Sequence, residues 1–286
     1  MADRTTRRGV GCLLVAAVLL VLAAVGGFSA LRSRGLTGPV LGQQRCVVTA
    51  GDHAVVLDLE QARLTSIVVG LSVRRGLAPR AASIAMATVY QETGIRNLDH
   101  GDRDSVGLFQ QRPSQGWGTV DQLQDPYYAT RKFYDALVKV DGWQDGDIND
   151  VAQRVQRSGY PDAYRDHEAD ARTLASVLTG QSAAGLTCLE RAGRAGRPDP
   201  LLTAMEKSLG DVDARRDGTT LTLDAGREKL AWAYAHYAVA NAAGYGVTTV
   251  TAGGQTWRTD GTNLPAWTDA PEPVPADLVV LTFRAG

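Results

Sequence analysis

The chain has no surplus of positive charge, few cysteines and histidines, and no second long apolar run, and each shortage removes a class of function. Its 286 residues carry 30 Lys and Arg against 31 Asp and Glu, a net charge of −1. No basic field is available for a phosphate backbone, so nucleic acid is not expected as a partner. Only four basic residues are lysines: Lys132, Lys139, Lys207 and Lys229. His53, His100, His167 and His236 show no zinc-ligand spacing. The run D-H-G-D-R-D at 99–104 lacks the length and terminal glutamate of a calcium loop. Neither metal nor cofactor is therefore expected. No G-x-S-x-G elbow or cysteine nucleophile is present, which sets aside hydrolases of those kinds. A transporter would need a second spanning segment, and none is visible.

What the sequence does have begins at residue 9. Residues 9–31, GVGCLLVAAVLLVLAAVGGFSAL, contain no charge. As a helix the run would be about 34 Å long, enough to cross a hydrocarbon core of about 30 Å. Arg4, Arg7 and Arg8 precede it, while Arg32 and Arg34 follow. The basic N-terminus favours a cytoplasmic tail at 1–8 and a transmembrane anchor at 9–31. A cleaved signal peptide is the alternative, although the run is long for one and lacks an A-x-A site. Either way the bulk of the chain is expected outside the cytoplasm, on the cell-wall side of the plasma membrane. Cys12 lies within the run, so Cys46 and Cys188 are the exported pair. In an oxidising compartment they are expected to form a disulfide.

The rest reads as a tether (32–45), a mainly helical unit (46–188), a Gly/Ala/Arg-rich linker (189–199) and a small α+β domain (200–286). Asp58 is an N-cap candidate, and a stop glycine, Gly76, ends the first helix. Pro79 opens a second helix that Thr93-Gly94 ends. Residues 96–118 are rich in Gly, Asp and Pro and read as loops around a short hairpin or strand, VGLFQQ. In the last part, Trp232, Tyr234, Tyr237, Trp257 and Trp267 are either core or a glycan-binding set, and a protein partner in the envelope is a further role for it.

Along the second helix, Ala81, Ala85 and Thr88 or Val89 form a stripe that Glu92 continues. Burial at the end of an apolar face disfavours a charged carboxylate. The negative end of the helix dipole acts in the same direction. Both raise the pKa, as a general acid at neutral pH requires.

Three ordered motifs add to this. They are Tyr90-Gln91-Glu92-Thr93-Gly94, then Ser105-Val106-Gly107-Leu108-Phe109-Gln110-Gln111, then the segment from Asp150 to Tyr160. Together they resemble the Glu-Ser, Gly-Leu-Met-Gln and Ala-x-x-Tyr-Asn-Ala-Gly motifs of the lysozyme-like superfamily of lytic transglycosylases and goose-type lysozymes. The phrase GLFQQRPSQGWGT at 107–119 is similar to one in actinobacterial membrane-anchored exported proteins. The resemblance covers roughly 57–180 and implies a mainly α lysozyme-like domain with a short β-lobe. Glu92 would protonate the glycosidic oxygen of a β-1,4 bond in peptidoglycan and then act as base. Substrate would be held by Gln110, Gln111, Tyr90, Trp117, Gln156 and Tyr160, with Phe109 in the core. Thr93 stands where the motif has Ser, and Val155-Gln156-Arg157-Ser158 where it has Tyr-Asn-Ala-Gly. Tyr160 or Tyr164 is expected to fill the place of the missing tyrosine. A second carboxylate, common in glycosidases, would come from Asp102 or Asp104. The alternative is a non-catalytic wall-binding or envelope-scaffold protein.

Overall fold

A computed structural model describes residues 43–156, 162–191 and 193–285. These residues form one compact unit. It opens with a hairpin, β1 (Arg45–Ala50) and β2 (His53–Leu57), turning at Gly51. β1 alternates inward Cys46 and Val48 with less buried neighbours, as a strand with one covered face must. Its other edge takes β3 (Leu186–Leu189), giving the order β2-β1-β3. Cys46 and Cys188 face each other in that register and are joined as a disulfide. A cross-link spanning 142 residues stabilises by about 4–5 kcal/mol in the chain-entropy account.

Next come α1 (Leu59–Arg74) and α2 (Pro79–Thr93). Asp58 caps α1 through a reciprocal capping box with Gln61, satisfying two backbone donors at once. Pro79 starts α2, and Gly94 ends it in the left-handed region. Then follow α3 (Val120–Gln124), α4 (Pro126–Leu137), α5 (Ile148–Gln156) and α6 (Glu168–Leu178). α2 is central and packs against α1, α4, α5 and α6. Its residues from Ala81 to Val89 are all buried. α6 covers β1 and β2.

The chain continues through α7 (Pro198–Leu209), β4 (Asp213–Asp217), β5 (Thr220–Asp224), α8 (Glu228–Ala240) and a short α9 (Ala242–Tyr245). β6 (Val247–Ala252), β7 (Gln255–Arg258), β8 (Thr268–Asp269) and β9 (Leu278–Phe283) complete an antiparallel sheet of order β4-β5-β9-β6-β7-β8. Leu221, Leu223, Val279, Leu281 and Phe283 alternate inward along β5 and β9. α8 packs against β6 and β9 on one side and against α1, α6 and β3 on the other. Ala231–Ala240 are buried without a break, which suits a helix surrounded by structure.

This corrects the expected fold class. A mainly α lysozyme-like domain, a small α+β C-terminal domain and one transmembrane helix were expected. The described residues instead form a mixed α+β fold, with nine helices and nine strands in two antiparallel sheets. β1, β2 and β3 lie almost wholly within the stretch 46–188 that reads as mainly helical, and they pair as one sheet. Such strands take their partners from distant sequence, so four or five residues give little local periodicity to read. Among the described residues no helix is long and apolar enough to cross a membrane. The charge-free run at 9–31 lies outside the described residues, as does Tyr160.

Candidate active site

Glu92 occupies the last turn of α2 and is half-buried. One of its oxygens, Oε1, accepts two hydrogen bonds from neutral groups. The Tyr164 hydroxyl donates at 2.7 Å and Gln156 Nε2 at 3.3 Å. Burial raises the carboxyl pKa above its ordinary value, and the two hydrogen bonds pull it down without cancelling that effect. The position near the helix C-terminus adds to the rise. A proton is thus held more tightly than on a free glutamate, with neutral partners fixing the group's orientation.

Each partner has its own support. Gln156 ends α5, and its Nε2 also donates to the Phe109 carbonyl at 2.7 Å. Tyr164 is fully buried, and its backbone N–H donates to Asn149 Oδ1 at 3.2 Å. Asn149 is itself fully buried on α5. α5 therefore supplies one donor directly and braces the second.

Across from α2 lies a tight turn at 105–111. Val106 N–H donates to the Gln111 carbonyl at 3.1 Å, closing an isolated bridge. Gly107 N–H donates to Leu98 O at 2.7 Å, and Gly107 has φ +78°. A Cβ there would stand 2.3 Å from the Leu123 carbonyl oxygen, so only glycine fits. The Thr93 hydroxyl joins the turn to α2, donating toward Val89 O at 3.0 Å and Leu108 O at 3.1 Å and accepting from Arg96 N–H. A serine would keep this link, which is the physical content of the Ser-for-Thr difference. Ile95 (φ 61°) and Gln110 (φ 47°), both beyond Glu92 in the chain, adopt left-handed backbone. Such residues cost on the order of 1–3 kcal/mol each and gather at functional sites.

The two glutamines expected to hold substrate are turned inward. Gln110 Nε2 donates to His100 O at 3.2 Å and Gly107 O at 3.3 Å, and its Oε1 accepts from Ser105 Oγ at 3.0 Å. Gln111 is 2% exposed and donates to Ala129 O at 3.3 Å. Both brace the turn. Tyr90 stacks on His167 with ring centroids 5.1 Å apart, and burial followed by Asp170 raises its hydroxyl pKa. Phe109 stacks on Phe133 in the core.

The two candidate second carboxylates are placed differently from Glu92. Asp104 accepts from Arg112 Nε at 2.7 Å, Ser114 N–H at 2.8 Å and Ser114 Oγ at 3.0 Å, and these bonds hold its pKa well below the usual range. Asp102 has a side chain 92% exposed, with Arg103 as its ion partner at 3.8 Å. In the C-terminal part, Trp232, Tyr234, Tyr237 and Trp257 are buried. Trp257 Nε1 donates to Thr187 Oγ1 at 3.0 Å, and the half-buried Trp267 donates to Leu186 O at 2.8 Å. Trp257 on β7 and Trp267 just before β8 thus tie the second sheet to β3.

Gln156 also lines a cleft of about 560 Å³. Trp117 forms part of the wall, together with Lys132, Lys139 and Arg154. Trp117 and Gln156, expected as substrate residues, thus share one surface depression. The three cations were not expected there. The available signal was weak: two of only four lysines stand seven apart, two turns of helix α4 and its extension. Compared with models of known protein families and with curated proteins, the chain finds no match.

Proposed function

We propose that this protein is a glycosidase of the bacterial envelope that cleaves β-1,4 bonds in peptidoglycan, with Glu92 as general acid and then base. The observation that carries the reading is the Glu92 carboxyl, held by Tyr164 and Gln156 at one oxygen and raised in pKa by burial. A raised pKa favours the protonated form that a glycosidic oxygen needs from its acid. The sequence motifs around Glu92 and at 105–111 support the same reading through their resemblance to lytic transglycosylases. Glu92 gives its proton to the leaving oxygen as the C–O bond breaks. The sugar's own 6-hydroxyl then bonds to the anomeric carbon and returns its proton to Glu92, closing a 1,6-anhydro ring. This course needs one carboxylate. It suits a site in which Asp104 is committed to Arg112 and Ser114. The Cys46–Cys188 disulfide favours an oxidising compartment outside the cytoplasm.

Purified peptidoglycan incubated with the full chain and analysed by mass spectrometry tests the proposal. Anhydro-muropeptides are expected from the wild type and absent with Glu92→Gln. No fragments from the wild type would leave the non-catalytic wall-binding reading, and equal release from both proteins would remove Glu92 as the acid.

A further inference from the structure

We infer that the cleft beside Gln156 is an anion subsite that takes the carboxylates of the peptide branches on a glycan strand. The inference rests on the glycosidase reading for the substrate's backbone, but its own ground is the charge of the cleft wall. Lys132 lies on α4, Lys139 two residues beyond its end, and Arg154 two residues before Gln156 on α5. Asp135 is the one acid among the lining residues, and Arg75 already engages it at 2.7 Å. Arg154 is oriented by a bond from Nη1 to the Asp141 carbonyl at 2.9 Å, and a guanidinium has further donors to offer an anion. Lys132 and Lys139 belong to none of the ion pairs among the described residues. Three cations therefore share one concave wall in a chain whose net charge is −1.

A neutral N-acetylated polymer offers nothing to balance that wall, whereas a strand bearing acidic peptides does. Trp117 supplies a flat apolar surface in the same cleft. Gln156 joins it to the chemistry, bonding Glu92 at 3.3 Å while lining the depression. A branch carboxylate seated there would fix which sugar linkage lies against Glu92.

The test uses the full chain carrying Glu92→Gln, so that binding is read without turnover. It is titrated with a disaccharide-peptide bearing free carboxylates, with the same compound after amidation, and with poly(glycerol phosphate). The charged disaccharide-peptide is expected to bind about tenfold more tightly than the amidated one, with the advantage shrinking as salt rises. Lys132→Gln/Lys139→Gln should erase that advantage and leave the amidated compound's affinity unchanged. Lys139 is exposed and Lys132 half-buried beside Tyr128, so circular dichroism checks the fold. An unchanged ratio in the double variant overturns the subsite, and tighter binding of the phosphate polymer overturns its assignment to carboxylates. Failure of the glycosidase reading appears separately, as no fragment release from the wild-type chain.

Discussion

At Glu92 burial and hydrogen bonding act in opposite directions on the same proton. Burial prevails, so the folded protein holds that proton above the pH at which an unfolded chain releases it. The folded state therefore loses stability as pH rises from about 4.5 through the raised pKa. Glu92→Gln keeps the shape and an acceptor for Tyr164 but has nothing to ionise. Thermal melts should place this variant above the wild type at pH 7 and level with it near pH 4, while activity disappears. A variant that melts lower at neutral pH would mean that the carboxylate stabilises the fold. Tyr164→Phe addresses the opposing effect. Its 2.7 Å bond favours the anion, so its removal lets the pKa climb further. The alkaline limb of the pH–activity profile should move to higher pH, with a stability loss of about 1 kcal/mol for the buried hydroxyl. An alkaline limb that stays in place would place Tyr164 outside the acid's control.

The turn at 105–111 owes its shape to one position. Gly107 combines φ +78° with a Cβ direction blocked by the Leu123 carbonyl. Gly107→Ala should cost about 2–4 kcal/mol in urea unfolding and lower activity more than it weakens glycan binding. A loss below 0.5 kcal/mol would show that α3 can withdraw from the turn. The same segment shows how far a sequence can be read. Pro79 and Gly94 mark α2 by purely local chemistry, and Asp58 marks α1 in the same way. The stripe ending in Glu92 follows from helical spacing, but α2 is buried on every side from Ala81 to Val89, so the stripe singles out no face. Gln110 and Gln111 read as substrate ligands because an amide offers the same donors and acceptors inward or outward. Only the backbone at Gly107 and Gln110 decides that they brace the turn. The cation cleft was illegible for a related reason: Arg154 meets Lys132 and Lys139 through the packing of α5 near α4. β3 depended on pairing with β1 across 142 residues.

Across the whole molecule, the helix that carries the second sheet is tied to the elements around the site by a buried histidine. His236 on α8 bonds through Nδ1 to the Val177 carbonyl at the end of α6, at 2.7 Å. Its Nε2 accepts from Gly185 N–H, just before β3, at 3.2 Å. One nitrogen donates and the other accepts, so the pair of contacts requires the neutral ring. Full burial pushes its pKa down to about 4, with the Val177 bond opposing this in part. A lowered histidine pKa gives stability that is complete above the unfolded value of about 6.5 and is lost as pH falls toward 4. A displacement of this size corresponds to roughly 3 kcal/mol. Glu92 titrates with the opposite sign in part of that window, so the measurement belongs in the Glu92→Gln background. There, urea midpoints should fall steadily between pH 6.5 and 4.5. Adding His236→Gln should lower the midpoint at pH 7 and flatten the slope below it. Equal slopes with and without the histidine would assign the acid sensitivity to carboxylates elsewhere. A flattened slope would instead assign that acid sensitivity to the one proton His236 takes up where α6, α8 and β3 meet.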